Sequence, residues 1–215
     1  MDSLNGILAE DNLPQLIEAE LIALRLYTGP RSMKYIAVLR AKCVPNPMFE
    51  RAFDSLCMGN LYTTTIQVES SGLIKLSTMT KATKVYRGIG GGKLPEAFLY
   101  PDKYNVSGGV EGAFLSTTPN RDVAVFYAGG AGGGSKAGVV LKMQQGLTDC
   151  GADLSPFSQY GHEKEICWPP LCAMHLTETG VEGNVINAAV RPSVNMKAQT
   201  IEKVLASRQQ SILDM

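Results

Sequence analysis

The 215-residue sequence has little that would favour a membrane or a nucleic acid as its partner. No apolar run approaches the roughly 20 residues that a membrane-spanning helix needs, and the N-terminus, MDSLNGILAEDNLPQ, lacks the basic and apolar regions of a signal peptide. The 20 basic and 20 acidic residues cancel, and no Lys/Arg block stands out. The five scattered cysteines favour reduced thiols. We therefore expect a chain without membrane or nucleic-acid partners, with a cytoplasmic location favoured.

The glycine-rich segments lack the spacing of phosphate-binding loops. GIGGGK at 88–93 is one residue too short for the ATP-binding pattern, and Leu94 stands where Ser or Thr is required. GGAGGGSK at 129–136 has no Gly-Lys-Ser/Thr ending. We predict that both segments are turns or loops, which glycine permits.

A metal site is not predicted either. His162, Cys167, Cys172 and His175 are residue types that bind zinc, but the Pro-Pro pair at 169–170 stiffens the middle of this pattern. On one strand, His162 and Cys167 would also face opposite sides. We interpret the cysteines as buried and inert.

The order of sequence patterns predicts an α+β fold in a single domain over residues 1–215. Residues 13–81 are mainly helical by the spacing of their apolar residues, although 61–81 are ambiguous between helix and strand. Residues 82–190 alternate short apolar stretches with glycine-rich turns, a pattern typical of strands, around one short helix at RDVAVFYA. Residues 195–210 return to helical spacing. Helices followed by strands and a final helix indicate the α+β class.

Three polar motifs lie within the strand-rich region. Arg87 ends an apolar strand pattern before Gly88, where a guanidinium can bind a phosphate through two donors. Ser116 opens three consecutive hydroxyls at the end of FLSTT. Glu163 and Glu165 precede ICW, and on a strand both would face one side, about 6 to 7 Å apart. Taken singly, each motif is better explained by structure alone: a surface arginine, a capped strand end and a solvated sheet edge.

In this order, Arg, Ser-Thr-Thr and Glu-x-Glu resemble the motifs of the arginine-type mono-ADP-ribosyltransferases, the clan that includes cholera toxin. The segments LYTGPRSMKYIAVLR, VYRGIGGGKLPEAF, GGVEGAFLSTTPNRDVAVFYA and GADLSPFSQYGHEKEICWPPL resemble successive blocks of a eukaryotic-type domain of this clan, and the likeness covers roughly residues 20–210. The resemblance implies two small β-sheets packed around an NAD cleft, with helices on the N-terminal side. It also implies NAD as the substrate and an arginine side chain of a protein as the acceptor.

The resemblance assigns the cofactor side of the site to five residues. Arg87 corresponds to the arginine that holds the phosphate and ribose side of NAD, with Gly88 next to it. Ser116 corresponds to the serine that supports the nicotinamide ribose and the catalytic acid, with Thr117 beside it. Glu165 corresponds to the catalytic glutamate.

The acceptor side is assigned in the same way. Glu163 corresponds to the upstream glutamate that is linked with arginine as the acceptor. Residues 155–162 (SPFSQYGH), which we name the acceptor loop, correspond to the loop that meets the protein substrate. The aromatic residues Phe157 and Tyr160 of this loop are then expected to contact the acceptor.

The chemistry itself calls for two carboxylates. Cleavage of the nicotinamide–ribose bond builds positive charge on the sugar, and the leaving group departs as neutral nicotinamide, so no acid is needed. A fixed carboxylate at Glu165 can accept a hydrogen bond from the ribose 2′-hydroxyl and stabilise that charge. Because a guanidinium stays protonated at neutral pH, a second carboxylate at Glu163 can orient the acceptor and take its proton. One strand would thus present both groups.

Other residues and other functions are alternatives. Arg121 is a second candidate for phosphate binding, and Tyr86 and Phe126 can stack on nicotinamide or belong to the core. The same residues would serve an NAD glycohydrolase with water as the acceptor, or a catalytically silent module that keeps the fold. The composition also fits a leaderless toxin that a dedicated machine exports.

Overall fold

A computed structural model describes residues 2–91, 93–129, 138–146, 148–195 and 199–213. Its helices are α1 (Asp2–Glu10), α2 (Glu18–Leu26), α3 (Ser32–Cys43), α4 (Pro47–Cys57), α5 (Thr63–Ser77), α6 (Glu96–Leu99), α7 (Arg121–Gly129) and α8 (Ile201–Leu213). Its strands are β1 (Lys84–Ile89), β2 (Gly108–Glu111), β3 (Leu115–Thr117), β4 (Gly138–Gln144), β5 (Ala152–Asp153), β6 (Ile166–Trp168), β7 (Cys172–Glu182) and β8 (Val185–Ser193). The loop predicted at 129–136 lies outside the described residues from position 130 onward.

The strands form two sheets. The larger sheet has five strands in the order β1-β4-β8-β7-β2, and the smaller has three in the order β3-β6-β5. Only β4 and β8 are parallel among these pairs; the other paired strands of the described chain are antiparallel. This architecture confirms the predicted α+β class with two small sheets.

Apolar side chains from both sheets pack into one core. Val85 and Leu141 come from the larger sheet, Leu115 and Trp168 come from the smaller sheet, and all four are buried. Burying a large apolar side chain contributes about 1.5–3 kcal/mol, so this shared core holds the two sheets against each other.

A second core joins the smaller sheet to the helical first third. Leu24, Tyr27 and Leu73 from the helices pack with Phe114 and Leu154. The rings of Tyr27 and Phe114 meet edge to face, with centroids 5.3 Å apart. The ambiguous segment at 61–81 is the helix α5, although Thr63–Thr65 favour a strand locally, because packing overrides weak local propensity.

The C-terminal helix begins later than the sequence predicted, at Ile201. Its start is tied to α5, since the Ile201 amide donates to Ser71 Oγ at 2.8 Å and Lys75 Nζ lies 2.6 Å from Glu202 Oε1. Lys75 is buried and also pairs with the buried Glu20 of α2 at 2.9 Å. None of the helices within the described ranges has both the length and the apolar character needed to cross a membrane.

The junction between α2 and α3 is irregular. Residues Tyr27–Arg31 form a π-helical turn, in which Gly29 leaves helical geometry with φ −112° and ψ −170°. Pro30 follows, and the Ser32 hydroxyl donates to the Gly29 carbonyl at 2.9 Å. This turn places Thr28 and Gly29 in the lining of a cleft between the helical part and the two sheets.

Candidate active site

A cleft opens where the two sheets meet. Tyr86 of β1 and Thr118, just after β3, exchange two backbone hydrogen bonds of 2.8 and 2.9 Å. The cleft beside this bridge has a volume of about 460 Å³. Its lining includes residues singled out from the sequence: Tyr86, Arg87, Gly88, Ser116, Thr117, Tyr160, Glu163 and Glu165.

Arg87 lies on β1, opposite Leu141 of β4, and its side chain crosses to the smaller sheet. Its Nη1 donates to the Ser116 carbonyl at 2.9 Å. This bond uses one of the five N–H donors of a guanidinium and orients the group in the cleft. Its charge also lowers the pKa of the Glu165 carboxyl.

The three consecutive hydroxyls serve different purposes. Ser116 lines the cleft together with Glu165 and lowers the pKa of the Glu165 carboxyl. Thr117 also lines the cleft, but its buried hydroxyl donates to the Ile166 carbonyl at 2.7 Å and accepts from Trp168 Nε1 at 3.2 Å. The Thr118 hydroxyl donates to the Glu163 carbonyl at 2.7 Å. Ser116 therefore presents its hydroxyl to the catalytic candidate, whereas the Thr117 hydroxyl is engaged within the protein.

Glu165 is buried at the floor of the cleft, with 7% of its surface exposed. Burial raises the pKa of its carboxyl above the ordinary value, and the nearby Glu163 raises this pKa further. Ser116 and the Arg87 charge oppose this increase, since both lower the pKa of Glu165. The carboxylate form is thus supported by the two groups that the sequence had linked with it.

Glu163 is less buried than Glu165 and is held by a contact from α7. The Tyr127 hydroxyl donates to its Oε1, and this hydrogen bond is the first cause that raises the pKa of Tyr127 to about 12. Together with the Thr118 bond to its carbonyl, this contact anchors Glu163 at both its side chain and its backbone.

The prediction that both glutamates lie on one strand is wrong. Glu163 ends a short 3₁₀ turn, Gly161–Glu163, and Glu165 precedes β6. Lys164 between them adopts a left-handed conformation, with φ 47° and ψ 54°. This residue turns the chain between the two glutamates. The turn, and not the alternation of side chains along a strand, therefore brings the two carboxylates into the same cleft.

Only some of the aromatic residues predicted for the site line the cleft. Tyr86 lines the cleft and also packs against the helix α7. Phe126 is 56% exposed and lines no part of this cleft, so neither predicted role fits it; the adjacent Tyr127 lines the cleft instead. In the acceptor loop, Tyr160 lines the cleft, whereas Phe157 packs partly buried against the helical core.

Gly88 is needed for the packing of α7 over β1. A Cβ at this position would lie 1.9 Å from the Ala124 carbonyl oxygen, which is backbone and cannot move aside cheaply. The close approach brings Tyr127, one turn further along α7, over the cleft. Gly88 thus shapes the site through helix packing as well as by lining it.

Two weaker candidates lie elsewhere. Arg121 forms an ion pair with Glu182 and is not part of the cleft lining. Cys167 is on the smaller sheet and Cys172 on the larger one, both buried, so the H-C-C-H pattern is not assembled. Within the described ranges, no group of three or more His, Cys, Asp or Glu side chains could hold a metal ion.

Sequence reasoning missed several residues of the site. The spacing of Val123, Ala124 and Tyr127 places them on one helix face, which was a usable signal for Tyr127. Thr28 and Gly29 gave no such signal in the sequence, because only tertiary packing brings the helical part to the cleft.

Glu69 of α5 is fully buried, and both its carboxyl oxygens lack a hydrogen-bond partner among the described residues. Burial raises its pKa well above the ordinary value, and the Glu165 charge adds to this effect.

No protein-family model matches the sequence, and a search of the curated proteins finds no match. Solved structures do match the fold. Exoenzyme S from Pseudomonas aeruginosa, solved with human 14-3-3 protein beta and carba-NAD, is 20% identical, with a TM-score of 0.59 over 88% of this chain and 82% of its own. ADP-ribosyltransferase HopU1 of Pseudomonas syringae pv. tomato DC3000 is 21% identical, with a TM-score of 0.58 over 81% and 76%. Vis toxin, an ADP-ribosyltransferase from Vibrio splendidus, is 16% identical, with a TM-score of 0.56 over 86% and 77%. The chain therefore has the ADP-ribosyltransferase fold, which confirms the resemblance at the level of fold.

Proposed function

We propose that this protein transfers ADP-ribose from NAD to a side chain of another protein, with arginine as the acceptor and nicotinamide as the leaving group. The supporting observation is the convergence of four groups on one cleft. A guanidinium, a serine hydroxyl, a buried carboxylate and a second carboxylate that Tyr127 anchors line the same cavity.

Each group has a role that its surroundings suit. Arg87 supplies forked cationic donors for the diphosphate of NAD. Glu165, buried in the same cleft as Ser116, accepts a hydrogen bond from the ribose 2′-hydroxyl and stabilises the positive charge that develops as nicotinamide departs. Glu163 orients the guanidinium of the acceptor and accepts its proton as the nitrogen attacks the ribose carbon. The new bond joins that nitrogen to the ribose, and the broken bond releases neutral nicotinamide.

Two structural neighbours lend support to the choice of substrates. Exoenzyme S was solved bound to carba-NAD, an analogue of NAD. Vis was solved with agmatine, a small amine that ends in a guanidinium like that of arginine; it is 16% identical to this chain, with a TM-score of 0.59 over 92% of it and 85% of its own length. These contacts belong to those proteins, and they motivate the same pairing of NAD and guanidinium here.

The proposal is tested by incubating the purified protein with labelled NAD and a cell lysate, followed by mass spectrometry of the modified residue. We expect Glu165→Gln to lose both transfer and NAD hydrolysis by on the order of 100-fold or more. Glu163→Gln should lose transfer to arginine and keep much of the hydrolysis. The reason is that a cationic guanidinium needs the carboxylate to orient it, whereas neutral water does not.

A matched control is Glu178→Gln, which makes the same change at an exposed position of β7 outside the cleft lining. It should behave as wild type. Full transfer by Glu165→Gln would show that the assignment is wrong. Hydrolysis of NAD without any modified protein or guanidine would identify water as the acceptor.

A further inference from the structure

The acceptor loop is tied to the helical first third through hydrogen bonds that each join a side chain to a backbone group. Arg25, near the end of α2, donates from Nη1 to the Phe157 carbonyl at 2.8 Å and to the Ser158 carbonyl at 3.1 Å. The Gln159 amide donates to Thr28 Oγ1 at 3.1 Å, and Gln159 Nε2 donates back to the Arg25 carbonyl at 2.9 Å. Four bonds thus join two residues of the helical part to three consecutive residues of the loop.

The Thr28 hydroxyl completes this arrangement. It donates to the Arg25 carbonyl at 3.0 Å while it accepts from the Gln159 amide. Thr28 is buried, so its hydroxyl is held in one place, whereas Arg25 and Gln159 are exposed. Gly29 leaves the space that the Gln159 side chain occupies, since a Cβ there would lie 2.3 Å from Gln159 Nε2.

The tied residues come directly before the acceptor side of the cleft. Tyr160 follows Gln159 and lines the cleft, and its carbonyl accepts from the Glu163 amide at 3.0 Å. A displacement at Gln159 is therefore passed along the chain to Tyr160 and Glu163. The NAD side is supported differently, because Arg87 and Ser116 lie on strands that are paired in the two sheets.

We infer that Arg25 and Thr28 are positioning residues, which hold the acceptor loop against the cleft and thereby set the balance between transfer to an acceptor and hydrolysis of NAD. This inference rests on the proposed function. The helical first third then does more than cover the core, because one segment of it both borders the cleft and orients the loop that meets the acceptor.

The test compares Arg25→Met with wild type, using agmatine and an arginine-rich peptide as acceptors and measuring NAD hydrolysis without an acceptor. Loss of both carbonyl contacts should lower kcat/KM for transfer to the peptide about tenfold, as expected for hydrogen bonds to a charged group at an exposed site. The KM for NAD and the rate of hydrolysis should change less than about twofold. Arg25→Lys, which can still reach one carbonyl, should recover part of the transfer.

Arg51→Met is the matched control, because Arg51 is exposed on α4 and makes no hydrogen bond or ion pair with other described residues. It should keep the wild-type ratio of transfer to hydrolysis. A folded Arg25→Met protein with an unchanged ratio would overturn the inference, and so would an equal loss of both reactions, which indicates a merely structural role.

A second measurement tests the hydrogen bonds that hold the acceptor loop, which we name the clamp, and it requires no enzymatic activity. Thr28→Val removes the acceptor of the Gln159 amide, so hydrogen–deuterium exchange at residues 157–160 should become faster while exchange in the sheets stays unchanged. Gly29→Ala should displace the Gln159 side chain and produce the same local effect. Unchanged exchange in both variants would overturn the clamp. If wild type itself transfers nothing, the proposed function fails, while these exchange rates still report on the clamp.

Discussion

Replacement of Tyr127 by phenylalanine tests how the second carboxylate is held. The change removes one hydroxyl that donates to Glu163 Oε1 and leaves the ring in place. A hydrogen bond to a charged group contributes about 1.5–3 kcal/mol when it is buried. Tyr127 is 51% exposed, so solvent screens the bond and we expect about 1 kcal/mol. That energy corresponds to about a fivefold lower kcat/KM for transfer.

The assay measures transfer to agmatine and hydrolysis of NAD in parallel. Hydrolysis should change less than transfer, because in the proposed mechanism Glu163 acts on the acceptor and Glu165 acts on the ribose. The pKa of Tyr127 is raised to about 12, so the hydroxyl remains a donor throughout the neutral range, and the fivefold difference should not vary with pH there.

The control is Tyr100→Phe, the same change at an exposed tyrosine outside the cleft lining. It should leave both activities unchanged. If Tyr127→Phe folds normally and transfers as well as wild type, the hydroxyl does not hold Glu163 in a way that matters, and the account of the acceptor side is refuted.

Two further predictions concern pH. Burial and then Glu163 raise the pKa of Glu165, so the acidic limb of the pH profile for NAD hydrolysis should lie above the range of an ordinary carboxyl. Glu163→Gln should move this limb to lower pH. A limb that stays in place in that variant would contradict the coupling between the two glutamates. Burial raises the folded-state pKa of Glu69, so its stabilising contribution is complete below the unfolded pKa of about 4.3 and is lost as pH rises toward the folded pKa. Urea titrations should therefore show the unfolding free energy of wild type falling with pH relative to that of Glu69→Gln, by at most about 1.4 kcal/mol per pH unit above pH 5; parallel curves would exclude this role for Glu69.

Much of the site could be predicted from the order of short motifs. Arg87, Ser116 and Glu165 line one cleft, as their joint resemblance implied. The strands that bear Arg87 and Ser116 were predicted because apolar alternation and glycine turns are local signals. The long strand β7 was not predicted as a strand, since Cys172–Glu182 is mostly exposed beyond its first residues and shows no sustained apolar alternation.

Errors at the site have specific causes. The strand prediction for Glu163 failed because Lys164 adopts a left-handed conformation that no side-chain pattern announces. Phe126 and Tyr127 are adjacent on α7, and the packing of that helix at Gly88 determines which ring reaches the cleft. Glu69 lies in a segment whose secondary structure was ambiguous, so its burial could not be foreseen.

The sequence by itself determined the class of fold and the strands that bear the arginine and the serine, because each depends on residue types at short spacing. The set of polar groups that meet at the cleft was implied by the resemblance of the ordered motifs to a known family. Only the tertiary structure decided how the two glutamates are held, which tyrosine supports one of them, and that Arg25 and Thr28 contact the acceptor loop. These features join residues as far apart as 25 and 157 in the chain, and such contacts depend on how helices and sheets pack rather than on any local pattern.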